Sequence, residues 1–161
     1  MPRTGLIVLA ACVVLAAASP RSGAQQAANP QKAQPTYVGS LACQSCHPQE
    51  YARFKKNSKM SRAYAHVLLM KKGLTEKEYR GCLKCHTTGF GKPGGFVSWK
   101  KTPRLAQVGC EACHGPGSIH VASSDPKDIR KVVSVNDCQV CHNNDRVGAF
   151  RCSPMLYGGA H

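Results

Sequence analysis

Residues 110–114 read Cys-Glu-Ala-Cys-His, and the same Cys-x-x-Cys-His spacing recurs at 43–47, 82–86 and 138–142. Two thiols separated by two residues can add across the two vinyl groups of one haem, and a histidine directly after the second thiol is placed to ligate the iron. Each run therefore specifies two covalent bonds and one axial bond. Zinc sites and disulfides also use Cys-x-x-Cys pairs, but neither needs the trailing histidine. Its presence in all four runs points to four covalently bound haem c groups. The thioether positions are Cys43, Cys46, Cys82, Cys85, Cys110, Cys113, Cys138 and Cys141, with His47, His86, His114 and His142 as proximal iron ligands.

Attachment of this kind requires an exported chain, and residues 1–24 have the pattern of an export signal. Arg3 precedes an apolar run from Leu6 to Ala18, and Ser22-Gly23-Ala24 supplies small residues at a cleavage site. The apolar run is too short for a lasting membrane span, and nothing later in the chain is long enough for one. Lipidation at Cys12 is a competing outcome, weakened because only eleven residues precede that cysteine. Residues 25–35, rich in Gln, Ala and Pro, read as a flexible leader. A periplasmic, extracellular or cell-surface location follows, with residues 36–161 as the single cofactor-binding domain.

Removal of residues 1–24 from the 161-residue chain leaves 137, roughly 34 per haem, too few for an ordinary core with cofactors added at its surface. The porphyrin plates must form much of the core and lie close to one another. The expected fold is mainly α with much irregular loop and minimal β, a small multihaem cytochrome c wrapped around four covalent haems.

The polypeptide carries a net charge of +14, which falls to +12 without Arg3 and Arg21. Eight propionates contribute about −8 and four ferric centres about +4, so the oxidised holoprotein lies near +8 and the reduced one near +4. Much of the basic excess is a propionate counterion set. No nucleic-acid motif accompanies it, and an acidic redox partner or anionic surface suits it better.

The first cysteines of successive runs stand 39, 28 and 28 residues apart, room for one short helix and one loop each. Thr75 with Glu78 forms a capping box ahead of the second run, Thr102-Pro103 starts a helix ahead of the third, and Ser134 with Asp137 starts one ahead of the fourth. A further helix is expected over Ser61 to Lys72, carrying His66 and ending in a left-handed cap at Gly73. Four glycines and Pro93 between Gly89 and Gly95 give an irregular loop, followed at most by a short strand near Phe96 to Trp99.

Between the runs lie Tyr37-Val38-Gly39-Ser40, Thr87-Thr88-Gly89-Phe90 and Gly115-Pro116-Gly117-Ser118-Ile119-His120. With these, the stretch from about Tyr37 to His161 resembles the tetrahaem c-type cytochromes that accept electrons from hydroxylamine oxidoreductase, and more closely the extracellular tetrahaem cytochromes of metal-reducing bacteria, some of which form filaments. The resemblance implies distal ligation by His120 to a haem other than that of His114. The Gly-Pro-Gly turn agrees, since it directs His120 away from its own run. The resemblance also implies distal roles for His66 and for His161, which closes a Leu-Tyr-Gly-Gly-Ala-His tail. The chain departs from the family pattern where a histidine is common early in the segment after the first run; Met60 and Arg62 stand there instead.

Four haems need eight axial ligands, and the chain has seven histidines, four of them proximal. His66, His120 and His161 complete three sites. The fourth takes a methionine, Met60, Met70 or Met155, or stays open. Cys152 is left over as a thiol that is inert, pairs between subunits or binds iron. Two functions fit. One is an electron carrier or relay between redox partners or to an external acceptor, as a monomer, a homopolymer or a subunit of a larger redox complex, with no substrate of its own. The other is an enzyme that reduces a small nitrogen-oxide-type ligand at the incompletely coordinated haem.

Overall fold

The computed structural model describes Met1 and residues 34–143; the expectations for the signal, the leader, Cys12, Cys152, Met155 and His161 lie outside them. The fold is helical with long irregular connections, and no strand forms among the described residues. Six α-helices are joined by loops and single 3₁₀ turns: α1 Pro48–Asn57, α2 Ala63–Met70, α3 Glu76–His86, α4 Cys110–His114, α5 Ser118–Ser123 and α6 Val135–Gln139.

Local chemistry explains several of the boundaries. Proline opens α1, where a missing N–H costs nothing. Thr75 caps α3 in a complete capping box: Glu78 N–H donates to Thr75 Oγ1 at 3.3 Å, and Thr75 N–H donates to the Glu78 carboxylate at 2.8 Å. Ser134 and Asp137 repeat the device at α6. Gly115 follows α4 with φ of +83°, a left-handed conformation that favours glycine, and turns the chain out of the third run.

Three expectations need correction. The helix expected over Ser61 to Lys72 is built in pieces, a 3₁₀ turn at Lys59–Arg62, then α2, then a 3₁₀ turn at Lys71–Gly73. Gly73 does not take the left-handed conformation, because the 3₁₀ turn already closes the helix and leads directly into the Thr75 cap. Around Phe96 to Trp99, where at most a short strand is expected, none forms, in keeping with minimal β: Phe96 N–H bonds the Thr88 carbonyl at 2.9 Å, and Val97 N–H is taken by Thr102 Oγ1 at 2.8 Å. Thr102-Pro103 opens only a 3₁₀ turn, Pro103–Leu105, separate from α4.

A small core of Tyr37, Tyr64, Leu83, Phe96, Leu105 and Ala106 sits between the second and third runs. Tyr64 stacks on Trp99 with ring centres 6.1 Å apart and shares a 3.0 Å hydroxyl contact with Tyr79. Thr88, buried, knots this core to the third run: its Oγ1 donates to Gln107 O at 2.6 Å and accepts from Gly109 N–H at 2.9 Å. Ser40 Oγ then accepts from Cys110 N–H at 3.0 Å, which seats the first run against the third.

Candidate haem centres

A Cys-x-x-Cys-His run wound as one helical turn places its first cysteine, second cysteine and histidine at i, i+3 and i+4, on one face. All four runs take that form. The third is α4 itself and the second is the last turn of α3. The first and fourth close their turns with His47 N–H to Cys43 O at 2.9 Å and His142 N–H to Cys138 O at 2.8 Å. All eight cysteines are free thiols, and among the described residues no three Cys, His, Asp or Glu side chains gather as a metal-binding group.

The runs are not scattered. The Cys43 thiol donates to the Cys110 sulfur, which pushes Cys43 up and holds Cys110 down at about 6. Burial and then a hydrogen bond with Cys85 push Cys141 up to about 12, and Cys113 lies close enough to Cys141 to act on its charge. Burial and the neighbouring His86 both lower the pKa of His142, which favours the neutral imidazole that a metal needs. The first run therefore adjoins the third, the third adjoins the fourth, and the fourth adjoins the second.

Three histidines share a further feature. The Nδ1 of His86 faces Ala63 O at 3.0 Å, that of His114 faces Arg130 O at 2.7 Å, and that of His120 faces Asp125 O at 2.9 Å. A carbonyl only accepts, so each Nδ1 carries the proton and leaves Nε2 as the bare, ligating nitrogen. His120 has this arrangement although it belongs to no Cys-x-x-Cys-His run.

His120 and His47 face each other with ring centres 6.3 Å apart and planes 26° from parallel. Two imidazoles on opposite sides of one metal, each bonded at about 2.0–2.1 Å and with about 1 Å more to its ring centre, stand about 6 Å apart. A cavity of about 570 Å³ opens beside them, lined by Val38, Cys43, Tyr51, Phe54 and Cys110 among others. The donor set and the mainly apolar walls fit a haem attached to the first run.

The remaining candidates are less gathered. His66 lies exposed on α2, where the sequence places it. Met60 is half-buried, its carbonyl accepting from Val108 N–H at 3.3 Å, and Met70 is 57% exposed at the end of α2. Sequence reasoning missed Glu111, which is 2% exposed and accepts three backbone hydrogen bonds. Its signal was available, since 110–114 is the only one of the four runs with an acidic residue between its cysteines.

Comparison with known proteins follows the same residues. Residues 42–115 match the family described as cytochrome c554 and c-prime. Cytochrome c-554 of Nitrosomonas europaea is 31% identical over 91 residues, 50% of this chain and 39% of that protein. The chain thus spans about two fifths of the length of that curated relative. The solved reduced state of cytochrome c554 from the same organism superposes with a TM-score of 0.51 at 21% identity, covering 80% of this chain and 79% of that one; the likeness is one of fold. The matches fall on the first of the two groups that the sequence resembles. Covalent haem c is the cofactor of such cytochromes, and four Cys-x-x-Cys-His runs give this chain four. Over residues 42–115, the chain is similar to the family described as cytochrome c554 and c-prime.

Proposed function

We propose that this protein is an electron carrier that relays single electrons between redox partners outside the cytoplasm. The observation that carries the reading is the continuity of the attachment sites: Cys43 lies beside Cys110, Arg130 joins His114 of the third run to Asp137 ahead of the fourth, and Cys141 lies beside Cys85. A relay needs neighbouring centres with no gap, and this order supplies one, first to third to fourth to second. Each haem iron supplies reversible one-electron ferric–ferrous chemistry. The chain's own residues would hold and orient the group: eight cysteines would attach the four haems, and His47, His86, His114 and His142 would each supply an imidazole to the iron. His120 completes the site of His47, and the backbone carbonyls of Ala63, Arg130 and Asp125 lock three of the imidazoles in the ligating tautomer.

His66 and His161 remain the distal ligands for two other sites, and the eighth position is left to a methionine or to solvent. No helix among the described residues is long and apolar enough to cross a membrane, and residues 1–24 serve as the export signal. The basic surface suits an acidic partner, and self-assembly into a polymer is a further arrangement that this chemistry permits. The electron-carrier reading is tested with the exported holoprotein, by nitric oxide and carbon monoxide uptake alongside stopped-flow oxidation. Rapid electron exchange with a redox partner and no ligand turnover support it. Catalytic turnover of a nitrogen oxide at a high-spin haem would replace it with the enzyme reading.

A further inference from the structure

Within the third run stands a carboxylate that the haem chemistry does not require. Glu111 is 2% exposed, and burying a carboxylate is costly unless hydrogen bonds replace its water. Here they do. Oε1 accepts from Val38 N–H at 2.9 Å and Gly117 N–H at 2.8 Å, and Oε2 accepts from Gly39 N–H at 2.7 Å. Beyond this grip, Thr36 N–H donates to Ser118 Oγ at 2.8 Å and Ser118 N–H donates to Thr36 O at 3.1 Å. Glu111 therefore clamps residues 38–39 to residue 117, and the Thr36–Ser118 pair extends the same junction.

The two clamped segments are the ones that lead to the facing imidazoles. Val38-Gly39 runs through the 3₁₀ turn Ser40–Cys43 to His47. Gly117 caps α5, which carries His120 one turn further on. Glu111 also lines the cavity between them, together with Cys43, His47 and His120. Five backbone hydrogen bonds and one shared cavity thus converge on a single imidazole pair.

We propose that Glu111 is the positioning residue of the His47–His120 pair and that its negative charge biases the iron held there toward the ferric state. The inference rests on the pairing of these two histidines given above. Its sign follows from charge: the ferric centre carries one positive charge more than the ferrous, so a nearby anion stabilises it and lowers its potential. A water-satisfied or hydroxyl-satisfied clamp would hold the backbone without that electrostatic effect.

The test uses the exported four-haem protein and two substitutions, with optical redox titration and low-temperature spin-state spectroscopy. His120→Ala marks the haem concerned by turning it high-spin; if the number of high-spin haems does not rise, the pairing itself is wrong and that failure is seen before Glu111 is touched. Glu111→Gln keeps one carbonyl oxygen for the Val38 and Gly117 N–H groups and removes the charge. The expected result is four haems, unchanged spin states, and an increase of about tenfold in the ferrous-to-ferric ratio of the marked haem at fixed potential, or about 59 mV for one electron. Glu111→Ala releases the turn and is expected to add a high-spin fraction at the same haem. Four unshifted midpoints in Glu111→Gln, or a shift confined to another haem, would overturn the proposal. Should Glu111→Ala fail to mature, Glu111→Gln decides alone.

Discussion

His120 shows how far one residue's chemistry is readable before its surroundings are known. Its place beyond a Gly-Pro-Gly turn indicates only that it points away from its own run; the facing ring of His47 at 6.3 Å and the Asp125 carbonyl at 2.9 Å supply the partner and the tautomer. His47 stands 73 positions away in the chain and Asp125 belongs to no motif, so neither pairing was legible. His120→Ala is expected to convert one low-spin ferric haem to high-spin, checked by electron paramagnetic resonance, with the other haems unchanged. Glu78 gives a second residue-scale prediction. Hydrogen bonds from the Thr75 side chain and then its backbone hold the Glu78 carboxyl below its ordinary value of 4.5. A depressed folded-state value contributes stability that is present above pH 4.5 and is lost as pH falls through the lower, folded value. Glu78→Gln should therefore flatten the acid side of the stability curve, measured as thermal midpoint against pH, and an unaltered slope would remove Glu78 from that account.

At the scale of elements, the capping boxes at α3 and α6 were legible because their chemistry is local: Thr75 to Glu78 and Ser134 to Asp137 each need only three residues of spacing. Thr75→Ala is expected to cost about 1 kcal/mol, seen as a lower denaturation midpoint with the haem content retained. The Gly73 cap and the strand near Phe96 were not legible for the opposite reason. Gly73 has composition in its favour, but the 3₁₀ turn Lys71–Gly73 ends the helix first, and Val97 loses its N–H to Thr102 rather than to a strand. Leu105, fully buried at 0% exposure and accepting from Thr88 N–H through its carbonyl at 3.0 Å, joins the core to the third run. Leu105→Ala should cost about 2–5 kcal/mol, measured by denaturant titration of the holoprotein. A cost under about 1 kcal/mol would show that the haems, rather than this cluster, carry the stability.

For the whole molecule, the four runs announce four cofactors, yet their spatial order is set by contacts between residues 67 or more positions apart in the first and third runs and 56 apart in the second and fourth, such as Cys43 with Cys110 and Cys85 with Cys141. Sequence spacing alone would suggest neighbours in chain order; the sulfur contacts instead set the first run beside the third and the second beside the fourth. The net charge of +14 on the polypeptide predicts that electron exchange with an acidic partner slows as ionic strength rises, because salt screens the attraction that brings the two together. Stopped-flow rates at two salt concentrations check this, and a rate indifferent to salt would leave the basic surface as propionate counterions only. Histidine arithmetic adds the asymmetry: seven histidines cannot fill eight axial positions, so the four centres are not equivalent. The most direct test of the whole account is a coulometric redox titration of the mature exported protein, counting electrons per chain. Four reversible one-electron steps per polypeptide are predicted; three or fewer, or a chain that binds zinc in place of haem, would contradict it.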